Sequence, residues 1–508
     1  MKIKNIIFQH STQAIARTDI FANACRELQT NYGYNVVLTY NGPIIKGIDD
    51  INNEHFETWL QGNKDIVARV NLSELERKYS RSNLWQPAAI ERNLTDYSFI
   101  GSALAKSDYR IEEIEWYLKA LILFYEYVIM KHRIQAAFNI VSDNIHNRIV
   151  QELSRSINII PFAIGRGVYW FDEMFYLNTD LNYGSKLLSE KYKEISDTGT
   201  LASGLEFSKI EEHIRMMRET SANSARPSII YSKSVGTTLR NALKTIRHNY
   251  MLMTPKRPAI NESNHKMQIA PAFFSLLARI YNIFWMRRNV INRNLPEKPY
   301  VFFPLHYQPE ATILGASPGW LDQLALVRLL SFSLPSGFRL VVKDHPYIGG
   351  SRKPSFFKDI MDLKNVVLLD DRVNSRTIIN HPNCQLLATI GGTAGLEGML
   401  FGKPVLIFGR TYYDCMKTLI RPPCELNEMP AFMKDLLVHE KYHAAEDIMK
   451  DAKMFLSAWL SIMKPVGEAT PTAPINRLAA AKDWAKVVND LVKQIEESDL
   501  YEIKDGTK

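Results

Sequence analysis

Three short polar clusters carry the residue types that a phosphate-binding, group-transferring site needs: His306-Tyr307-Gln308-Pro309-Glu310, Lys343-Asp344-His345-Pro346, and Gly391-Gly392-Thr393-Ala394-Gly395-Leu396-Glu397. A glycine turn that opens a helix lets backbone N–H groups face an anion at the helix N-terminus. A lysine and a histidine can meet phosphate charge, and carboxylates can accept hydroxyls or move a proton. Each cluster alone has a plain structural explanation, as a proline loop, a turn or a helix cap. Their joint placement is what points to a site. The glycine turn is neither a P-loop nor a dinucleotide fingerprint, because Gly402-Lys403 is followed by Pro404 and G-x-G-x-x-G is absent there. That disfavours ATPase and dehydrogenase chemistry. No D-x-D pair occurs, so a metal-chelating nucleotide-sugar site is not indicated, and His132 and His146 form no ligand cluster with metal-site spacing.

The elements that must position these clusters follow from hydrophobic patterning. Each cluster comes directly after a predicted strand of one α/β unit: residues 300–305, 338–342 and 385–390, with further strands at 365–369 and 405–408. Helices are expected at 320–332 and 394–401, the second stopped by Gly402-Lys403-Pro404. A doubly wound sheet would bring the three loops to one edge, where such sheets bind ligands. An earlier unit, residues 1–195, alternates apolar runs (3–8, 35–40, 136–141) with helical patterns such as 114–128. Between the units, 196–298 reads as a basic helical insert and linker. The second unit spans 299–465, and 466–508 is a C-terminal helix and tail, the helix at about 476–497. The fold class expected from this patterning is α/β, two Rossmann-like units with the helical insert and a C-terminal crossover helix.

With 508 residues, 46% apolar and 23% charged, the chain has the composition of a folded protein of two domains or more, not of a disordered or disulfide-scaffold chain. Residues 211–300 hold fifteen Lys and Arg against five Asp and Glu, a net +10 that exceeds the +8 of the whole chain. There Phe273, Phe274, Leu276, Leu277, Ile280, Tyr281, Phe284 and Trp285 lie beside Arg279, Arg287, Arg288 and Arg293. Such a segment can pack on another domain with snorkelling arginines or rest on an anionic membrane. Apolar interleaving without a reading motif argues against nucleic acid. The four cysteines have no metal or C-x-x-C spacing and read as reduced structural thiols. The N-terminus is expected to be a strand rather than a signal peptide, and 116–130 a buried helix rather than a membrane span.

The three clusters, with Gly402-Lys403-Pro404-Val405, resemble the bacterial capsule polysaccharide biosynthesis family, which includes Kdo transferases, over about residues 299–415. The resemblance implies a GT-B glycosyltransferase, two Rossmann-like domains facing a cleft, with the nucleotide donor on the C-terminal domain, the acceptor on the N-terminal one and no essential metal. It implies donor phosphate on His345 with Lys343, phosphate or ribose contacts from Gly392, Thr393 and Gly395, and ribose hydroxyls on Glu397. Glu310 would orient the sugar or transfer a proton, with Gln308 beside it. The family often has a Ser- or Thr-rich turn where this chain has Gly391-Gly392-Thr393-Ala394. His10, Asp19 and Asp143 are acceptor-side candidates by loop position alone. The expected activity is transfer of a sugar, Kdo or a related acid sugar, from a preferably CMP-linked donor onto a capsular or other surface glycan or glycolipid. No cofactor is expected beyond that donor substrate. The expected place is the cytoplasm, or the inner face of the cytoplasmic membrane through 211–300. The alternatives are a nucleotide-sugar 2-epimerase of the same fold and a non-catalytic capsule assembly or export protein.

Overall fold

The structure is a computed structural model that describes residues 2–10, 18–42, 44–79, 83–90, 109–139, 145–166, 174–178, 184–199, 205–219, 269–308, 311–345, 350–465 and 477–497. Apolar runs at the start of each half become parallel strands. β1 (Asn5–His10) pairs with β2 (Asn35–Tyr40), which pairs with β3 (Asn52–His55); on its other side β1 pairs with β4 (Ala136–Asn139), and β4 with β5 (Ile160–Arg166). β6 (Met174–Asn178) and, from far along the chain, β12 (Lys464–Pro465) extend this sheet antiparallel, giving the order β12-β6-β5-β4-β1-β2-β3. The second sheet is wholly parallel. It consists of β7 (Tyr300–Pro304), β8 (Arg339–Lys343), β9 (Val366–Leu369), β10 (Cys384–Thr389) and β11 (Val405–Ile407), in the order β11-β10-β7-β8-β9. In each sheet the order reverses between the first and fourth strands of its unit, β1 beside β4 and β7 beside β10.

Both sheets are covered on both faces, which is why their strands read as continuous apolar runs. Along β7, Tyr300 and Phe302 enter one apolar cluster and Val301 and Phe303 the other. Along β1, Ile6 and Phe8 face one layer and Ile7 the opposite one. The predicted C-terminal helix runs over Arg477–Glu497 and returns to the first sheet: Trp484, Val488 and Leu491 join the cluster of Ile6, Phe8 and Phe21, with the Phe21 and Trp484 rings 5.7 Å apart. The two α/β units and the crossover helix are therefore as the patterning predicts.

Three boundaries differ from the sequence reading. The helix Lys186–Thr198, expected in the first unit, buries Leu188, Tyr192 and Ile195 in the second sheet's cluster. Its partner is the helix Ala445–Ile462, whose Asp451 accepts from Tyr192 Oη and, at 2.8 Å, from Thr418 N–H. The 196–298 stretch is not a separate body at its described ends, since Ile210 and Ile214, and later Met286 and Val290, also enter clusters of the second unit. Residues 220–268 lie outside the described residues. The helix expected from 320 begins at Gln323, because Asp322 caps it by accepting Leu324 N–H at 3.0 Å and Ala325 N–H at 3.1 Å, and residues Pro318–Trp320 form a separate 3-10 turn. The expected end of the strand at 141 lies outside the described residues.

The helix Ile269–Asn289 packs Asn282 and Met286 inward and leaves Leu277, Tyr281 and Phe284, three residues on one stripe, exposed beside Arg287 and Arg288. Among the described residues no helix is long and apolar enough to cross a membrane.

Candidate functional site

Because β10, β7 and β8 are neighbours, the loops after them meet at one edge. The helix Ala311–Ala316, which follows the β7 loop, packs against the first unit's helix Trp85–Ile90, so this edge is turned toward the first unit.

His306 stands at the crossing between β7 and β10. Its Nε2 accepts Ile390 N–H at 3.2 Å and lies 3.0 Å from Thr389 Oγ1. A ring nitrogen that accepts carries no proton, so the proton of the neutral ring is on Nδ1. Burial first, then the charges of His345 and Arg352, holds the ring neutral, its pKa pushed down to about 3. Gly392 lies against this ring: a Cβ there would stand 2.8 Å from His306 Cε1, and one on Gly391 would stand 2.7 Å from the Arg410 carbonyl. Close approach, not backbone strain, therefore requires both glycines, since Gly392 has φ −79°. Gly392 caps the helix Thr393–Leu400, and Tyr413 Oη donates to the Gly392 carbonyl at 2.6 Å from beneath the turn. Gly395 lies flush on that phenol. The helix thus starts at the sheet edge with its positive end toward the strand loops. Gly402, with φ +74°, ends it.

Behind the edge sits a buried charged layer. The Arg352 guanidinium donates from Nε to Asp344 Oδ1 at 3.1 Å, from Nη2 to the His306 carbonyl at 2.6 Å and from Nη1 to Gln308 Oε1 at 3.4 Å. Both Arg352 and Asp344 are 3% exposed at their side chains. Gln308 also donates to the Leu321 carbonyl at 2.6 Å, and Gln323 both accepts from His306 N–H at 2.8 Å and donates to its carbonyl at 3.2 Å. The Lys343 ammonium is buried and reaches the carbonyls of Asp344 and Asp371, each at 3.3 Å. Burial pulls its pKa down, and Asp371, Asp344 and Asp370 pull it back up.

His345 is half-buried at the front of this layer. Its N–H donates to Asp344 Oδ1 at 2.8 Å, and its ring centre lies 6.0 Å from that of Tyr307. Burial, followed by the Lys343 and Arg352 charges, pushes its pKa down to about 4, so near pH 7 it is a neutral imidazole that can donate one hydrogen bond. Glu397, one turn into the helix, accepts from Arg376 Nη2 at 3.2 Å and is largely buried.

The structure therefore brings His345, Gly392, Thr393 and Gly395 to one edge. It places Gln308 and Lys343 in the supporting layer and turns Glu397 toward Arg376. Glu310 lies outside the described residues, as does Asp143. His10 closes β1 and Asp19 lies in the helix Thr18–Tyr32, with neither side chain among those described. Sequence reasoning missed Arg352, Gln323, Arg376 and Tyr413 as parts of this assembly, and it gave the His306 ring no role within the cluster that it opens. The one available signal was a polar residue directly after an apolar strand, which singled out the His306 loop without showing that the ring itself spans β7 and β10. Among the described residues no group of three or more His, Cys, Asp or Glu side chains is placed to hold a metal ion.

This edge belongs to a doubly wound α/β unit with a helix N-terminus at its strand crossing. Residues 296–417, the stretch that holds it, match the model of a family described as capsule polysaccharide biosynthesis protein. No curated protein matches the chain. Among solved structures, the chain is similar to a KpsC beta Kdo 2,7 transferase of Thermosulfurimonas dismutans at 12% identity and TM-score 0.33, covering 75% of this chain and 98% of that one. It is similar to a glycosyltransferase of Rickettsia africae at 9% identity and TM-score 0.29, over 98% and 100% of the two chains. A UDP-GlcNAc 2-epimerase of Neisseria meningitidis bound to UDP-GlcNAc is similar at 11% identity and TM-score 0.27, over 96% and 100%.

Proposed function

We propose that the chain is a glycosyltransferase of surface-polysaccharide assembly that takes its sugar from a nucleotide-activated donor, CMP-linked by preference, and passes it to a growing glycan or glycolipid. The observation that carries this reading is the presence, at the one edge where the loops after β7, β8 and β10 meet, of a glycine-walled helix N-terminus and the His345 imidazole. Donor phosphate sits on the turn Gly392-Thr393, where the helix start supplies backbone N–H groups and partial positive charge. His345, neutral when the site is empty, donates a hydrogen bond to a phosphate oxygen. The incoming negative charge raises the imidazole's pKa, so that it stabilises charge building up on the leaving nucleotide as the glycosidic bond breaks. Lys343 and Arg352 act from behind, as fixed positive charge and as the brace of the loops. Glu310 remains the candidate for orienting the sugar or moving a proton, with the site free of an essential metal.

The enzyme works in the cytoplasm at the inner membrane face, where its acceptor is assembled. The exposed Leu277, Tyr281 and Phe284 stripe beside Arg287 and Arg288 supports this placement, because apolar side chains flanked by cations suit an anionic lipid surface. The test of the activity is turnover of CMP-Kdo, CMP-sialic acid, and CDP-, UDP- and GDP-sugars by the full chain, with and without EDTA. Turnover of a CMP-linked donor that survives EDTA and is lost in His345→Ala supports the reading. Activity that EDTA abolishes or His345→Ala retains overturns it. Release of a 2-epimerised nucleotide sugar would instead identify the epimerase, and no turnover with retained glycan binding the assembly protein.

A further inference from the structure

We propose that Asn282 is a positioning residue for His345, and that through it an anionic lipid surface bound by the helix Ile269–Asn289 sets the donor site. On the reading above, on which this regulation rests, that site holds donor phosphate and the helix's exposed stripe meets lipid.

The helix has two working faces. From Ile269 to Pro296 the chain has no acidic residue. The outward face carries Leu277, Tyr281, Phe284 and Arg288, spaced four, three and four residues apart, with Arg287 beside them and Ile291 exposed just past the helix end. Apolar side chains and cations with no acidic residue on the same helix complement an anionic lipid surface. About half a turn round, Asn282, Ile283 and Met286 face the second unit. Met286 joins its apolar cluster, but Asn282 is a buried amide on an otherwise apolar face, and its Nδ2 donates to the Gly350 carbonyl at 2.9 Å. Leucine would fill that position without desolvating an amide, so the polar residue fixes the register of the helix on the chain at Gly350. Gly350 itself has φ +76°, and a Cβ there would collide with the Arg279 carbonyl oxygen and stand 2.8 Å from Ile283 Cγ1. Only glycine lets the two backbones meet this closely.

That contact lies two residues before Arg352, and the same helix grips the chain again just after it. Trp285 stacks on Phe357, in the helix Pro354–Met361, with ring centres 6.4 Å apart. Arg352 is therefore held between two contacts with one helix. From Arg352 the link to His345 is a single side chain: Nε donates to Asp344 Oδ1 at 3.1 Å, and the same oxygen accepts His345 N–H at 2.8 Å. The far end of the helix is tied separately. Asp370 N–H donates to the Asn292 carbonyl at 2.8 Å, and Arg293 Nε donates to Asp370 Oδ2 at 3.0 Å, just past β9. With that end fixed, lipid bound on the outward face acts on Gly350 through Asn282. A surface that favours the register in which Asn282 bonds Gly350 also favours the arrangement in which Arg352 and Asp344 hold His345. By linkage, bound donor must then tighten lipid binding by the same factor.

The experiment uses the full chain, CMP, and two vesicle preparations, phosphatidylcholine alone and phosphatidylcholine mixed with phosphatidylglycerol. Sedimentation, calorimetric CMP titration and amide hydrogen exchange over residues 350–357 are read in each. With the anionic vesicles, and not with phosphatidylcholine alone, wild type should bind CMP about fivefold more tightly and exchange the 350–357 amides about fivefold more slowly. Asn282→Leu, which keeps the outward face, should sediment within about twofold of wild type and lose both effects. The proposal is overturned if wild type does not sediment with the anionic vesicles, if bound lipid leaves the exchange or the affinity of bound CMP unchanged, or if Asn282→Leu keeps either effect. If Asn282→Leu does not fold, the wild-type results decide. If CMP binds under no condition, the donor-phosphate reading fails. Slower exchange at 350–357 on anionic vesicles then still supports the link from lipid to this segment, and its absence still overturns it.

Discussion

Replacing Arg352 by methionine tests whether the buried guanidinium holds the candidate edge together. The side chain makes three bonds in a layer almost without solvent, to Asp344, to the His306 carbonyl and to Gln308, and its Cζ lies 4.6 Å from the centre of the Phe356 ring. Methionine keeps most of the apolar contact and removes the charge. Asp344 then becomes a buried carboxylate without its cation, a change that costs about 3–5 kcal/mol. For a unit of this size that corresponds to a fall of roughly 6–20 °C in melting temperature. The His306 carbonyl still accepts from Gln323, so that loss is partial. In Arg352→Met/Asp344→Asn the orphaned charge is gone, and the amide oxygen introduced at position 344 can still accept His345 N–H. The double variant should recover all but about 1 kcal/mol, the ordinary net worth of one hydrogen bond. The sign with pH is also fixed. Burial already pushes the Asp344 carboxyl up and Arg352 pulls it back, so without Arg352 the folded state holds a proton that the unfolded state releases. The single variant's deficit must therefore grow from pH 4.5 to pH 7.5. Denaturant unfolding of the wild type, both singles and the double measures the cycle. A single-variant loss under about 1 kcal/mol, or a double variant as unstable as Arg352→Met, would refute the bracing role.

Other predictions concern the turn, the buried histidines, the helix pair and the exposed stripe. Gly392→Val must push the His306 ring off its bonds with Ile390 and Thr389; nucleotide titration should show at least a tenfold loss of affinity, and unchanged affinity would argue against phosphate on this turn. His146 and His306, held neutral at pKa values of about 4 and 3, take up protons more readily unfolded, so stability should be indifferent to them above pH 6.5 and fall as pH drops below it; His146→Gln should flatten that slope, with up to on the order of 3 kcal/mol at stake for His146 by pH 4. Asp451→Ala strips Tyr192 and Thr418 of their buried acceptor and should cost about 2–4 kcal/mol by thermal unfolding, with Asp451→Asn costing less. The full chain should sediment with anionic liposomes at low salt, and Tyr281→Ser/Phe284→Ser should reduce that at least threefold; equal sedimentation would dismiss the stripe.

The second sheet was legible because its strands are unbroken apolar runs, each followed by a polar loop, a pattern that follows directly from burial on both faces. The crossover helix was legible too, since Trp484, Val488 and Leu491 fall on one helical stripe. What the sequence hid are relations across the fold. Arg352 and Lys353 are adjacent cations, and nothing local says that the first is buried on Asp344 while the second is exposed. The helix Lys186–Thr198 has an apolar face that fits either unit, and only Trp459, Phe455 and Asp451, over 250 residues later, decide between them. Lys343 reads as a phosphate ligand from its place beside His345, but the last residue of a strand can turn its side chain along the sheet end, and here it reaches backbone carbonyls. That Gln9, Thr39 and Asn139 stand in one row becomes visible only once the register of three separate strands is known.

Whether nucleotide phosphate rests on the turn at Gly392-Thr393 with His345 donating to it is read by calorimetric titration of CMP into the wild type and His345→Ala, each at pH 6 and pH 8. Wild-type binding should be tighter at pH 6, with proton uptake as bound phosphate raises the imidazole's pKa, and His345→Ala should lose both that uptake and at least tenfold in affinity. Equal affinity and equal proton uptake in the two proteins would place the bound phosphate away from His345.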